Sequence, residues 1–207
     1  MTTRRDRGQT LDHTANPIRQ RLIVCRACDD GGVPEPGTSA VVVVLPDAAP
    51  LLDAAWRVDP ALVRRGVPAH VSLLYPFVAE SALSGQDEEG VRSLAASFPA
   101  VDLLLEEVVT ASGFIGVAVP RLQPLVDAFL ARWPGSRPYG GRFGVRPAAH
   151  VTVAMGADDP TAAGRVRAAI DSLLPLRTRA AAVHLVVLTE EGWRPRVTAP
   201  LGIQDSR

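Results

Sequence analysis

The sequence predicts a fold of mixed helices and strands built twice on one plan, with a cleft between two similar lobes. Three observations predict it. His70-Val71-Ser72-Leu73 returns 80 positions later as His150-Val151-Thr152-Val153. Each copy sits in an apolar, β-branched run, the composition of a strand. Around each copy the pattern reads strand, helix, histidine-bearing strand, helix, strand, which is an internal duplication. Packed side by side, two such lobes leave a cleft with one histidine in each wall.

Composition narrows the chemistry. With 207 residues, 47% of them hydrophobic and 21% charged, the chain suits one large or two-lobed globular domain. No apolar run approaches the roughly 18 residues that cross a membrane, and the Arg-containing start lacks the apolar stretch of a signal peptide. A cytoplasmic protein without membrane partners is the expectation. Net charge is zero, with 22 basic and 22 acidic residues, so contact with RNA is expected to be short and local. Every basic residue is arginine. Lysyl-nucleotide chemistry is therefore excluded, as is a P-loop.

Residues 1–38 are polar, rich in Gly, Pro and Arg, and read as a loosely ordered extension. Cys25 and Cys28 form one C-x2-C, with His13 as the only nearby histidine. A lone pair lacks the ligands of a zinc site, and no metal or other cofactor is expected. The two-lobed domain spans 39–203. Ala40 to Leu45 is a buried strand; Pro46-Asp47 starts a helix with Leu51, Leu52, Ala55 and Trp56 on one face, ended by Pro60. The first motif strand follows, Ala69 to Tyr75. Asp87 caps a helix with Val91, Leu94, Ala95 and Phe98 on one face, and Val101 to Thr110 forms one strand.

In the second half, Phe114 to Val119 is a strand, and Leu122, Leu125, Val126, Phe129, Leu130 and Trp133 mark the clearest amphipathic helix. A Gly-rich loop, Pro134 to Pro147, delivers the second motif strand. Asp159-Pro160 opens the next helix, with Val166, Ala169, Ile170, Leu173 and Leu174 inward. Ala181 to Thr189 and Arg194 to Pro200 close as a hairpin turned at Glu190-Glu191-Gly192.

Alternate side chains of a strand share a face, so His70 projects with Ser72, and His150 with Thr152. Val71 and Leu73 turn to the core, as do Val151, Val153 and Met155. Of four histidines, His13, His70, His150 and His184, only the two in the motifs carry a hydroxyl residue two places on. Two imidazoles with two hydroxyls can hold a phosphate and move protons on both sides of it. Arg142 and Arg146 either join the phosphate contacts or are solvated loop charges; Tyr139 and Phe143 either stack on a nucleobase or pack in the core. Tyr75, on the Val71 and Leu73 face, is expected away from the phosphate, and His184 at a core or edge position.

These motifs resemble those of the 2H phosphoesterase superfamily, named for two H-x-[ST]-x-apolar motifs, and especially its bacterial RNA 2′,5′-ligase-like branch. Leu74-Tyr75-Pro76-Phe77 and Gly140-Gly141-Arg142-Phe143-Gly144 are also similar to that branch, and the resemblance runs from about Ser39 to Ile203. Ser72 stands where many members have Thr. The resemblance implies a two-lobed α+β fold with antiparallel sheets, metal-free action on 2′,3′-cyclic phosphates or 2′,5′ linkages of RNA ends or small nucleotides, His150 as base, His70 as acid, and a 2′-phosphate product. The alternative is a non-catalytic nucleotide- or RNA-binding module using the same cleft. Oligomeric state is not readable from the chain.

Overall fold

The structure, a computed structural model, describes residues 34–202 apart from Arg65 and Ser112. The expectations for His13, Cys25, Cys28 and most of the extension lie outside these residues. At the junction, the Gly37 amide donates to the Leu188 carbonyl and the Leu188 amide to the Thr38 carbonyl, both at 2.8 Å.

The fold is α+β, with four helices and antiparallel sheets. In chain order the elements are β1 (Ser39–Val44), α1 (Ala49–Val58), β2 (His70–Leu74), α2 (Gly85–Ala96), β3 (Val101–Leu105) and β4 (Val108–Ala111). The second series is β5 (Phe114–Ala118), α3 (Gln123–Arg132), β6 (His150–Met155), α4 (Pro160–Asp171), β7 (Leu176–Ala180), β8 (Ala182–Thr189) and β9 (Gly192–Pro200). Where two separate sheets were expected, seven strands form one continuous sheet in the order β4-β5-β6-β2-β1-β8-β9, and β3 pairs with β7 apart from it. The two motif strands are its centre. They meet antiparallel through the single register pair Val71 and Val151.

Read outward from that centre, β2-β1-β8 on one side mirrors β6-β5-β4 on the other. Thus β4 of the first half extends the second half's strands, and β8 of the second half, with β9 beyond it, extends the first half's. This exchange explains one departure from the predicted elements. Val101 to Thr110 is not one strand: β3 pairs with β7 while β4 pairs with β5, and the chain breaks between them at the exposed pair Glu106-Glu107. The partner β7 was not anticipated, because Leu176-Arg177-Thr178-Arg179-Ala180 carries two arginines; they alternate outward while Thr178 and Ala180 are buried.

Local chemistry sets the helix ends. Ser84, rather than Asp87, is the N-cap of α2, and Asp87 is the third helical residue of a capping box with it. Asp159 caps α4, accepting from the Thr161 and Ala162 amides, with Pro160 at the start. Short 3-10 turns opened by proline, Pro46–Ala48 and Pro120–Leu122, precede α1 and α3 at equivalent points of the two halves.

The main core lies between one face of the sheet and the helices. It contains Val41 and Val43 of β1, Leu51 of α1, Val91 of α2, Phe129 of α3, Ile170 of α4 and both Val71 and Val151. Each large side chain there contributes about 1.5 to 3 kcal/mol by leaving water. The alternate residues of β1, namely Ala40, Val42 and Val44, are buried on the opposite face with Val186, against Tyr75 and Trp193. A strand apolar on both faces has something to bury on both. On this second face the covering is a ring of side chains around a cavity.

Candidate active site

Both motif strands carry a β-bulge at the same place, the fourth residue of the motif. Along β1 and β2, Val42 faces Ser72 but Val41 faces Leu74, so Leu73 is the extra residue. Along β5 and β6, Gly116 faces Thr152 but Ile115 faces Ala154, so Val153 is the extra one. A bulge sets two residues against one and reverses the alternation beyond it. Leu73 and Leu74 both enter the core, as do Val153 and Ala154. Tyr75 and Met155, assigned to the core face by simple alternation, therefore turn to the other side and line the cavity with Ser72 and Thr152.

The cavity measures about 530 Å³ and is lined by His70, Ser72, Thr152, Tyr139, Arg142 and Phe143 among others. His150 is not itself among the lining residues but stands directly behind two of them, Tyr139 and Phe143. Its imidazole lies 4.8 Å edge-on to Phe114, 6.2 Å from Tyr139 in a stacked arrangement, and 6.3 Å from Phe143. His70 and His150 are close enough for the charge of one to oppose protonation of the other.

The two imidazoles are held identically. Nδ1 of His70 donates to the Pro68 carbonyl and Nδ1 of His150 to the Ala148 carbonyl, each at 2.7 Å and each two residues back. The residue between is pinned to the preceding half-strand in both copies: Ala69 accepts from the Leu45 amide and Ala149 from the Val119 amide, both at 2.8 Å. Since a carbonyl only accepts, Nδ1 carries the hydrogen, and Nε2 is the nitrogen that gains or loses a proton. Burial lowers the pKa of both rings. For His70, after burial, the neighbouring His150 and Arg64 lower it further.

The hydroxyls differ in their surroundings. Ser72 bonds the Tyr139 hydroxyl, and burial, the larger influence, raises the Tyr139 pKa. Tyr139 is the only non-glycine with positive φ among the described residues, at 53°, a conformation that costs of order 1 kcal/mol. Its amide donates to the Tyr75 carbonyl at 2.6 Å, tying the loop between α3 and β6 to the end of β2. Tyr75 lies 5.9 Å from the Tyr139 ring and 6.3 Å from Trp193.

The loop arginines part company. Arg142 lines the cavity, its guanidinium 5.6 Å from the Phe143 ring centre. Arg146 instead forks onto Asp127 of α3, at 2.7 and 2.5 Å, outside the cavity lining, and that contact lowers the Asp127 pKa. His184 of β8 stands on the cavity side of the sheet, opposite Val42, with Nδ1 3.2 Å from the Thr198 hydroxyl. Arg64, Trp193 and the Val42 and Val44 floor also line the cavity and were not singled out from the sequence. For Trp193 and the valines the alternation of β1, β8 and β9 held the signal; for Arg64 there was none. No three His, Cys, Asp or Glu side chains converge as metal ligands among the described residues.

Several solved structures share the fold. E. coli LigT in its apo form superposes with a TM-score of 0.51 at 18% identity, covering 82% of this chain and 99% of that one. E. coli LigT complexed with 3′-AMP gives 0.50 at 17% identity, covering 81% and 99%. A protein described as a phosphoesterase gives 0.51 at 16%, also covering 81% and 99%. No curated protein matches the chain in sequence. The profile of one family matches residues 45–192, a stretch holding both histidine motifs and the loop between them, and the chain thus belongs to the 2′-5′ RNA ligase superfamily.

Proposed function

We propose that the protein is a metal-independent phosphodiesterase that opens 2′,3′-cyclic phosphates, or handles 2′,5′ linkages, at RNA ends or on nucleotides. His70 and His150 are its proton-transfer pair, one from each of two pseudo-symmetric lobes, with the cleft between the lobes as the active site. The observation that carries this reading is the matched pair of Nδ1 bonds, which fixes both tautomers with Nε2 as the reactive nitrogen.

Hydrolysis then runs in line. One neutral imidazole takes a proton from water as its oxygen attacks phosphorus; on the far side the bond to a ribose oxygen breaks, and the protonated imidazole supplies that oxygen with a proton. Ser72 and Thr152 hydrogen-bond the non-bridging oxygens, and Arg142 adds charge where it develops. Burial opposes protonation of both rings. Following the resemblance, His150 is the base that takes the proton from water and His70 the acid that supplies the ribose oxygen. The expected product remains a 2′-phosphate.

Nucleotides are the ligands to try first, since E. coli LigT has been crystallised with 3′-AMP and with NADP+. The test is phosphorus NMR of the purified protein with a nucleoside 2′,3′-cyclic phosphate in EDTA. Conversion of the cyclic signal to a 2′-monophosphate is expected. Activity appearing only after zinc or manganese is added would refute the metal-independent scheme; binding without turnover would leave the site a nucleotide-binding module.

A further inference from the structure

The cavity has a neighbour. A second one, about 580 Å³, is lined by Phe77, Arg132, Trp133, Ser136 and Arg137 among others. Pro76 and Gly140 line both cavities. The ridge between them is thus a proline ring and a residue without a side chain, with open space where a Cβ of Gly140 would stand. Across the pair run four arginines, Arg64 and Arg142 in the first and Arg132 and Arg137 in the second, against one acidic lining residue, Glu35. In a chain of zero net charge that is a local excess of cations, and it attracts anions.

The second cavity also has a fixed aromatic wall. The Trp133 ring stacks on Phe129 at 5.7 Å and meets Phe77 edge-on at 5.2 Å, and its indole N–H donates to Asp87 at 3.1 Å. The Arg132 guanidinium lies 4.9 Å from its centre. Single-stranded nucleic acid is bound by this combination, cations along the backbone and flat groups under the bases.

We propose that the second cavity holds the nucleotide upstream of the reacting phosphate, so that the preferred substrate is an RNA strand ending in a cyclic phosphate. The strand crosses the Pro76 and Gly140 ridge, its next phosphate meets Arg137, and a base lies against Arg132 and Trp133. This rests on reading the first cavity as the phosphodiesterase site. A mononucleotide would fill that cavity alone and leave the second unused.

The test compares the full chain with its Arg137→Glu and Arg132→Ala variants on a nucleoside 2′,3′-cyclic phosphate and on a short oligoribonucleotide with the same terminus. For the oligonucleotide, Arg137→Glu should lower kcat/KM about tenfold, through KM, as expected for one charge-assisted contact. Removing the Arg137 contact to phosphate should reduce the salt slope by about 1, and removing Arg132, which lies against a base, should weaken binding of the oligonucleotide with a smaller change in slope. The mononucleotide should be unaffected. Equal losses on both substrates, or none on the oligonucleotide, would overturn the strand path. If the wild-type protein turned over neither substrate, the phosphodiesterase reading would fall, and fluorescence anisotropy with a 3′-phosphorylated oligonucleotide would still decide the path. Binding tighter than that of the mononucleotide, and lost in Arg137→Glu, upholds it; binding no tighter refutes it.

Discussion

The two copies of the motif share a backbone and differ in what surrounds it. Nδ1 bonds, pinned residues before the histidine and bulges after it coincide in position and length. Beside His70, the neighbouring strand presents Val44, Val42 and Ala40, a smooth aliphatic floor. Beside His150 the equivalent residues are Ala118, Gly116 and Phe114, and the Phe114 ring reaches along the strand to the imidazole. The features the chemistry requires twice are duplicated. Those that would distinguish one side of a substrate from the other are not: Arg64, Tyr75 and Trp193 line the cavity on the first side, Phe114 and Phe143 flank His150 on the second.

The largest expected effect tests whether the two imidazoles are as different in role as in surroundings. His70→Ala and His150→Ala should each lower turnover of a 2′,3′-cyclic phosphate by about 10² to 10⁴-fold. With a nitrophenyl phosphodiester, whose leaving group needs no proton, His70→Ala should recover most of its loss and His150→Ala should not. The opposite pattern would reverse the order implied by the resemblance. Equal loss on both esters would deny the pair a division between acid and base.

Protonation probes the same comparison without mutation. Both imidazoles have lowered pKa values in the folded protein, so kcat/KM should follow a bell whose maximum lies on the acid side of about 6.5, the ordinary value for histidine. The two limbs belong to the coupled pair. Stability moves with it: above 6.5 the rings are neutral folded and unfolded, and as pH falls the unfolded chain takes protons the folded one resists. Urea midpoints should therefore drop as pH falls from 7 through 6.5 towards 5, less steeply in a His70→Gln variant. A plateau of kcat/KM extending to high pH would remove the acid role.

Much of this site was legible in the sequence, because alternation along a strand is a local property. His70 with Ser72 and His150 with Thr152 follow from it directly. Tyr75 and Met155 did not, since a bulge reverses the alternation and no residue type announces one. The element order around each motif was readable from apolar periodicity. The exchange of β4 and β8 between halves was hidden, being a matter of which strand pairs with which, and with it went the division of Val101 to Thr110. Arg142 and Arg146 are alike in sequence and parted in space only because Asp127 lies 19 positions before Arg146, on α3.

Gly116 sharpens the contrast between the two floors. A Cβ there would stand 2.6 Å from Phe114 Cζ and 2.6 Å from the Val151 carbonyl oxygen, and the second of these is backbone. Gly116→Ala should cost about 1 to 3 kcal/mol, the range for overpacking, and should slow turnover by pushing Phe114 against His150. Val42→Ala, at the equivalent position, removes two methyl groups from a surface beside the cavity, and about 1 kcal/mol is expected. Denaturant midpoints of the two variants check the order. If Gly116→Ala were the milder change, the Phe114 ring would have room to move, and its contact with His150 would not be a fixed one.

The smallest effect belongs to the approach of the second strand. Ahead of His150, the Ala149 amide donates to Gln123 at 2.8 Å, Gln123 donates to Asp127 at 3.0 Å, and Arg146 forks onto the same carboxylate. The Arg146 pair is exposed, and exposed pairs are screened by water and salt. Arg146→Ala should therefore change kcat/KM by less than about threefold, since Gln123 holds the strand directly and Arg146 only through Asp127. Arg142→Ala, which removes a cation from the cavity wall, should raise KM more. Steady-state kinetics on one cyclic nucleotide separates them. A larger loss from Arg146→Ala would mean that the fork opens to take up substrate, giving the second motif a phosphate ligand on the loop that brings it in.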